Sequence, residues 1–259
     1  MCELLGMSAN VPTDICFSLS ELIKHGGECG PHRDGWGISF YEGQGCRSFH
    51  DAMPGSDSFV GQMLQTYPIK SHIVVSHIRQ ANRGRVCLEN THPFIRELWG
   101  RYWTFAHNGQ LKGIKKQPLK FYHPVGSTDS EYAFCWLLDQ LRQQFNVRPK
   151  NPKTVWTFIE KCFAELRAMG VFNALMSDSQ VLYSTCSTQL CAITRKAPFG
   201  RATLIHSGIE IDFSAVTTLS DVVTVISTEK LTSEADWTCM QPGEFRVYNN
   251  GICIYEAIQ

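Results

Sequence analysis

Apolar residues recur along this chain in short runs of two different periods. Cys2-Glu3-Leu4-Leu5-Gly6-Met7 opens it, and residues 2–8 read as a buried strand. Residues 13–24 change to helical spacing, with Leu19, Leu22 and Ile23 on the inner face, Thr13 or Asp14 as cap, and Gly26 and Gly27 as stop. Strands follow at 36–41 and 46–52, joined by the turn Glu42-Gly43-Gln44-Gly45, and a helix over 57–66 ends before Pro68. Ile73-Val74-Val75 begins a β-branched strand that runs through Arg79. A long polar loop, 80–98, leads to a strand at 101–107. Thr128-Asp129-Ser130-Glu131 has the form of a capping box opening a helix over 129–145, whose Tyr132, Cys135, Trp136 and Leu138 make a buried stripe. A second helix covers 153–168 and stops at Gly170. Only strands follow, at 171–177, 181–186, 189–194, 202–207, 222–227, 244–249 and 251–256. This order predicts one α+β domain over 1–259, with two antiparallel sheets and helices packed outside them. There is no linker, repeat or low-complexity tract to divide it.

Composition narrows the class. The 259 residues are 43% hydrophobic and 19% charged, enough for a sizeable core. Lys+Arg and Asp+Glu both number 24, so net charge points to neither nucleic acid nor a cationic partner. The N-terminus lacks a signal-type segment, and no apolar run approaches the roughly 20 residues of a membrane helix. The 11 cysteines are odd in number, lack a CxxC pair and come closest at Cys186 and Cys191. That spacing fits neither a disulfide framework nor a structural zinc site. Cys135, Cys162, Cys191 and Cys253 sit in apolar runs and read as small core residues, which places the chain in a reducing cytoplasm.

Between the elements lie four islands rich in groups that bind a zwitterion or an oxyanion. Asp34-Gly35-Trp36-Gly37 brackets a Trp with glycines; alone it reads as a turn entering a strand. Ser76-His77-Ile78-Arg79-Gln80-Ala81-Asn82-Arg83-Gly84 places a guanidinium at the end of a very apolar strand. There Arg79 either grips a carboxylate ligand or closes a structural ion pair. His77 falls on the same side as Arg79 and by itself is a hydrogen-bonded core residue. Ala106-His107-Asn108-Gly109 ends an aromatic strand. An Asn amide and a Gly N–H there can serve an oxyanion hole, although Asn-Gly is locally a hairpin turn. Gly126-Ser127-Thr128-Asp129 puts a carboxylate at a helix start, where it complements the dipole or holds an ammonium.

Cys2 directly follows Met1, and methionine aminopeptidase normally clips before so small a residue. Removal of Met1 would give one residue a thiol nucleophile and an α-amine base of pKa about 7.7–8.0. In this order behind a penultimate Cys, the four islands resemble the class II glutamine amidotransferases, which are N-terminal-nucleophile (Ntn) hydrolases. The resemblance runs from Cys2 to about Glu131 and continues through Val223–Glu229 and Trp237–Glu244. Asn90-Thr91-His92-Pro93-Phe94 and Ile78-Arg79-Gln80-Ala81-Asn82 are typical of its stand-alone bacterial branch.

The resemblance implies a four-layer αββα sandwich. It makes Cys2 the nucleophile, its α-amine the base, and Asn108 with Gly109 the oxyanion hole. Arg79 would take the α-carboxylate of glutamine and Asp129 its α-ammonium, while Asp34, Gly35, Trp36, Gly37, His77 and Gln80 complete the substrate pocket. No metal or organic cofactor is required. Synthases of the family usually carry an aromatic residue where this chain has Gln80, and no synthase domain is read here. The ammonia released would then pass to a partner protein, or the chain would hydrolyse another γ-glutamyl amide or peptide, as stand-alone relatives in thiol metabolism do. A non-catalytic partner subunit is the reading from a different class; the scattered cysteines give it no support.

Overall fold

The computed structural model describes residues 2–28, 30–81 and 84–258. Its first half comprises β1 (Glu3–Thr13), α1 (Cys16–His25), β2 (Trp36–Glu42), β3 (Gly45–Asp51), α2 (Phe59–Thr66), β4 (Ser71–Ile78), β5 (Phe94–Leu98) and β6 (Arg101–Leu111). Two long helices follow, α3 (Asp129–Gln144) and α4 (Pro152–Ala168), and then β7 (Gly170–Ser177), β8 (Leu182–Thr185) and β9 (Cys191–Lys196). The rest is β10 (Arg201–Thr203), β11 (Glu210–Asp212), β12 (Val222–Ser227), β13 (Thr238–Cys239), β14 (Glu244–Asn249) and β15 (Ile252–Ile258).

One antiparallel sheet has seven strands in the order β13-β9-β12-β1-β4-β2-β3, and a second has six in the order β15-β14-β8-β7-β6-β5. Helix α1 lies on β1 and β4 with α2 beside it; α3 lies on β5 and β6, and α4 on β7. The layers run helix, sheet, sheet, helix, the αββα arrangement expected from the sequence.

Three buried clusters fill the three gaps. Leu5, Met7, Leu19, Leu22, Trp36 and Val74 lie between the first helices and the seven-stranded sheet. Leu4, Ile73, Val75, Ala106, Leu175 and Ile226 lie between the sheets. Phe105, Phe134, Leu138, Phe163, Phe172 and Met176 lie between the six-stranded sheet and α3 and α4. Leu4 and Leu5 thus enter different cores, as the two-residue period of a strand requires. A register slip of one residue would exchange them, so burial of both faces specifies the register of β1.

Several expectations need correction. The stretch 80–98 is not all loop, because Phe94–Leu98 forms β5, an edge strand of the second sheet. Its middle residues Arg96 and Glu97 hid the alternation. Helix α1 begins at Cys16, later than expected, since Thr13 still belongs to β1; Asp14 Oδ1 accepts the Cys16 N–H at 3.2 Å. The strand expected over 202–207 is shorter: Arg201–Thr203 pairs with β11 in a two-stranded ribbon, and Leu204 makes a single bridge to Thr232. Asn108-Gly109 is no hairpin turn: β6 runs on to Leu111, with Asn108 opposite Asn173 and Gly109 opposite Phe172. Cys191 is not a free core thiol but is bonded to Cys239 on the neighbouring strand, and Cys253 is exposed. Among the described residues no helix is long and apolar enough to cross a membrane.

Candidate active site

The site is built at one end of the gap between the sheets. Antiparallel pairing of β1 with β4 sets Glu3 opposite Ile78, so Cys2 and the residues just past Ile78 are neighbours. The facing sheet brings Asn108 and Gly109 on β6, and α3 brings Asp129 at its first turn. A cavity of about 170 Å³ is lined by Cys2, Arg79, Gln80, Asn108, Gly109 and Asp129 together. Residues 127 positions apart in the chain thus share one wall.

The Cys2 thiol meets the backbone of Gln80 twice: the Gln80 N–H donates to Sγ at 3.3 Å, and the thiol donates to the Gln80 carbonyl at 3.4 Å. Burial raises the thiol above its ordinary value, while the Gln80 amide and the Arg79 charge act against that rise. The Gln80 contact is made by main chain, so it does not depend on the side chain that departs from the synthase pattern. Arg79 is buried, and its Nη1 donates to the Arg85 carbonyl at 3.0 Å. Asn108 Nδ2 donates to the Cys2 carbonyl at 2.5 Å. Asp129 Oδ2 accepts the Leu111 N–H at 2.7 Å, which fixes the carboxylate at the cavity wall. The start of α3 is held by Thr128, whose Oγ1 accepts the Glu131 N–H at 3.1 Å.

Asp34, Gly35, Trp36, Gly37 and His77 do not line this cavity. Asp34 stands behind it: Oδ2 accepts the Ala81 N–H at 2.7 Å, and its N–H donates to the Arg79 carbonyl at 3.1 Å. Gly35 accepts the Arg79 N–H at 2.8 Å. These contacts shape the turn that presents Arg79 and Gln80. Trp36 is a core residue, and a Cβ on Gly37 would collide with the His92 carbonyl. His77 is fully buried, its Nδ1 3.2 Å from that of His92.

Ala81, in the loop after Arg79 that the resemblance also placed at the pocket, lines the cavity, as do residues that motif reasoning did not assign to it: His92, His107, Gln110, Ser130 and Val171. His107 ties β6 to α3 and β7, with Nδ1 2.9 Å from Ser130 Oγ and Nε2 donating to the Val171 carbonyl at 3.0 Å. Behind Asn108, the Asn173 side chain donates to the Asn108 carbonyl at 3.2 Å and accepts from the Ser187 and Thr188 amides at 2.9 and 3.0 Å. An Asn amid Val171-Phe172-Asn173-Ala174-Leu175 was the available signal, since a buried amide must find partners. Met1, whose removal an N-terminal nucleophile requires, lies outside the described residues, as do Asn82 and Arg83 of the Arg79 island. Among the described residues no three His, Cys, Asp or Glu side chains are placed to hold a metal ion.

Residues 1–258 match the family model described as glutamine amidotransferases class-II. The chain is 58% identical to "Putative glutamine amidotransferase YafJ" of Escherichia coli (strain K12) over 258 residues, with all of both chains covered. It is 48% identical to the crystal structure of a "predicted glutamine amidotransferase from Pseudomonas aeruginosa PA01", with a TM-score of 0.79 and coverage of 98% of this chain and 100% of that one. The glutamine phosphoribosylpyrophosphate amidotransferase of B. subtilis shares the fold at a TM-score of 0.65 and 14% identity, over 99% of this chain and 49% of that one. The chain belongs to the class II glutamine amidotransferase family.

Proposed function

We propose that this chain hydrolyses the γ-carboxamide of glutamine through a γ-glutamyl thioester on Cys2. The observation that carries the reading is the meeting of Cys2, Arg79, Asn108, Gly109 and Asp129 in one cavity. In the mature chain the free α-amine of Cys2 takes the thiol proton. The thiolate attacks the amide carbon, and the carbonyl becomes an oxyanion facing the second Asn108 amide N–H and the Gly109 N–H. The C–N bond breaks, and the amine proton leaves with ammonia. Water then adds to the thioester, releasing glutamate and restoring the thiol. Arg79 and Asp129 hold the α-carboxylate and α-ammonium, so the γ-carbonyl is held beside the sulfur.

A second reading is hydrolysis of a larger γ-glutamyl amide by the same residues. It is favoured by a wider space that adjoins the cavity and shares Gln110, Thr128 and Asp129 with it. Glutamate release from glutamine and from γ-glutamyl peptides, in the wild type and in Cys2→Ala, tests both. Turnover should vanish in the variant while its melting curve is retained. Unchanged turnover in Cys2→Ala would eliminate both readings, and glutamine turned over far more slowly than a γ-glutamyl peptide would favour the second.

A further inference from the structure

The space beside the Cys2 cavity is lined by three lysines and one carboxylate. It is lined by Gly84, Gln110 to Gly113, Lys115, Lys116 and Ser127 to Asp129, and encloses about 570 Å³. Lys112, Lys115 and Lys116 all line it, in a chain whose formal net charge is zero. Lys115 is fixed there, its Nζ donating to the Ser127 carbonyl at 2.6 Å. Among the described residues none of the three ammonium groups has a carboxylate within ion-pair distance. The only carboxylate in this lining is Asp129, at the boundary with the catalytic cavity, and its Oδ2 already accepts the Leu111 N–H.

We infer that this lysine-lined space is a subsite for an anionic leaving group, so that the substrate is a γ-glutamyl amide whose amine portion bears a carboxylate. The inference rests on the reading of the cavity as a γ-glutamyl site. In that reading Arg79 and Asp129 occupy both ends of the amino-acid head, so the head can be extended only through its amide nitrogen. An extension leaving the cavity past Gln110 and Thr128 enters the lysine wall. A carboxylate placed beyond Asp129, among residues that include three lysines, gains net attraction to them, whereas a neutral group gains none. The reaction is otherwise that of the glutamine case: the thioester forms on Cys2, the C–N bond breaks, and the departing amine takes the proton that ammonia would have carried. Water completes the cycle, and no further reactant is needed.

The test uses γ-glutamylglycine and γ-glutamylglycinamide, which differ only in the terminal carboxylate, with glutamine as reference. The expected kcat/KM ratio of acid to amide is about tenfold, expressed in KM and reduced by added salt. In a Lys112→Gln/Lys116→Gln variant that ratio should fall below about threefold, with glutamine turnover unchanged. Equal kcat/KM for acid and amide in the wild type would overturn the subsite and leave the glutaminase reading standing. A tenfold ratio that survives in the double variant would also overturn it. Failure to hydrolyse all three compounds would instead remove the γ-glutamyl reading, and the subsite with it. Both lysines are exposed, so the variants should melt as the wild type does.

Discussion

Asn108 reaches across from the second sheet and donates its side-chain amide to the main-chain carbonyl of Cys2 at 2.5 Å. One N–H of that amide therefore anchors the residue that carries the thiol; under the proposed mechanism the other would face the developing oxyanion. Asn108→Ala should lower kcat by about 10²–10³-fold, the usual loss for one oxyanion donor. Because the anchor is lost as well, KM should also rise, and the thiol should lose its alignment with Gln80. Asn108→Asp should not restore the rate, since a carboxylate accepts rather than donates. Steady-state glutamate release checks this, and a kcat within threefold of wild type in Asn108→Ala would refute the assignment.

Gly109 is constrained by its neighbour strand. A Cβ at this position would overlap the Val171 carbonyl and come within 2.8 Å of His107 Nε2. The same Val171 carbonyl accepts the hydrogen bond from His107 Nε2. Gly109→Ala must therefore push β6 from β7 or displace His107, and either movement shifts the Gly109 N–H. Overpacking of this kind costs roughly 1–3 kcal/mol. The expected outcome is a lower urea midpoint together with a kcat loss larger than the stability change explains, measured on fully folded protein.

The layered fold was legible because strand and helix periods were clean where both faces were buried. Leu4 and Leu5, or Val74 and Val75, each feed a separate core, and such runs announce themselves. Edges were less legible: β5 carries Arg96 and Glu97 in its middle, and β13 has two residues. The site was legible where a residue type was chemically costly in its local setting, as for Arg79 at the end of an apolar strand. Asp34 to Gly37 were assigned to the pocket because nothing local distinguishes a residue that touches a ligand from one that shapes the turn behind it. His92, His107 and Ser130 were missed for a tertiary reason. His107 and Ser130 meet the cavity because β6 passes β7 and α3, and His92 because it packs on His77 of β4, relationships no spacing in the chain records.

Histidine burial predicts an acid limb in stability. His77 and His92 lie with their Nδ1 atoms 3.2 Å apart, so one donates and the other, a neutral ring, accepts. Burial holds both well below the ordinary histidine value, and His107 is lowered by the same cause. In the unfolded chain they protonate near pH 6.5. As pH falls below that value the unfolded state takes up protons that the folded state refuses, so stability is lost. The slope approaches about 1.4 kcal/mol per pH unit for each histidine. Urea midpoints should fall from pH 6.5 to pH 5.5, and a flat midpoint across that interval would contradict the assignment.

Glu3 should set the opposite limb. The residue is 6% exposed, with Oε1 3.9 Å from His32 Nε2 and, among the described residues, no hydrogen-bond partner for Oε2. Burial, reinforced by the charge of Glu229, pushes it up to about 8. The unfolded chain releases this proton near pH 4.3. Between there and pH 8 the folded state holds a proton that the unfolded state has lost, so stability falls as pH rises. The histidine contributions fade as pH rises through the unfolded-state value, and the Glu3 contribution takes over once they have become smaller than it. Stability of the wild type should therefore peak near neutral pH, a little above 6.5. Glu3→Gln removes the alkaline limb while keeping the side-chain volume, so the variant should exceed the wild type at pH 8, with the gap closing toward pH 4.5. Glu3 does not line the Cys2 cavity, so the proposed turnover at pH 7 should change little. A variant that gains no stability at pH 8 would show that the Glu3 carboxyl ionises in the folded protein.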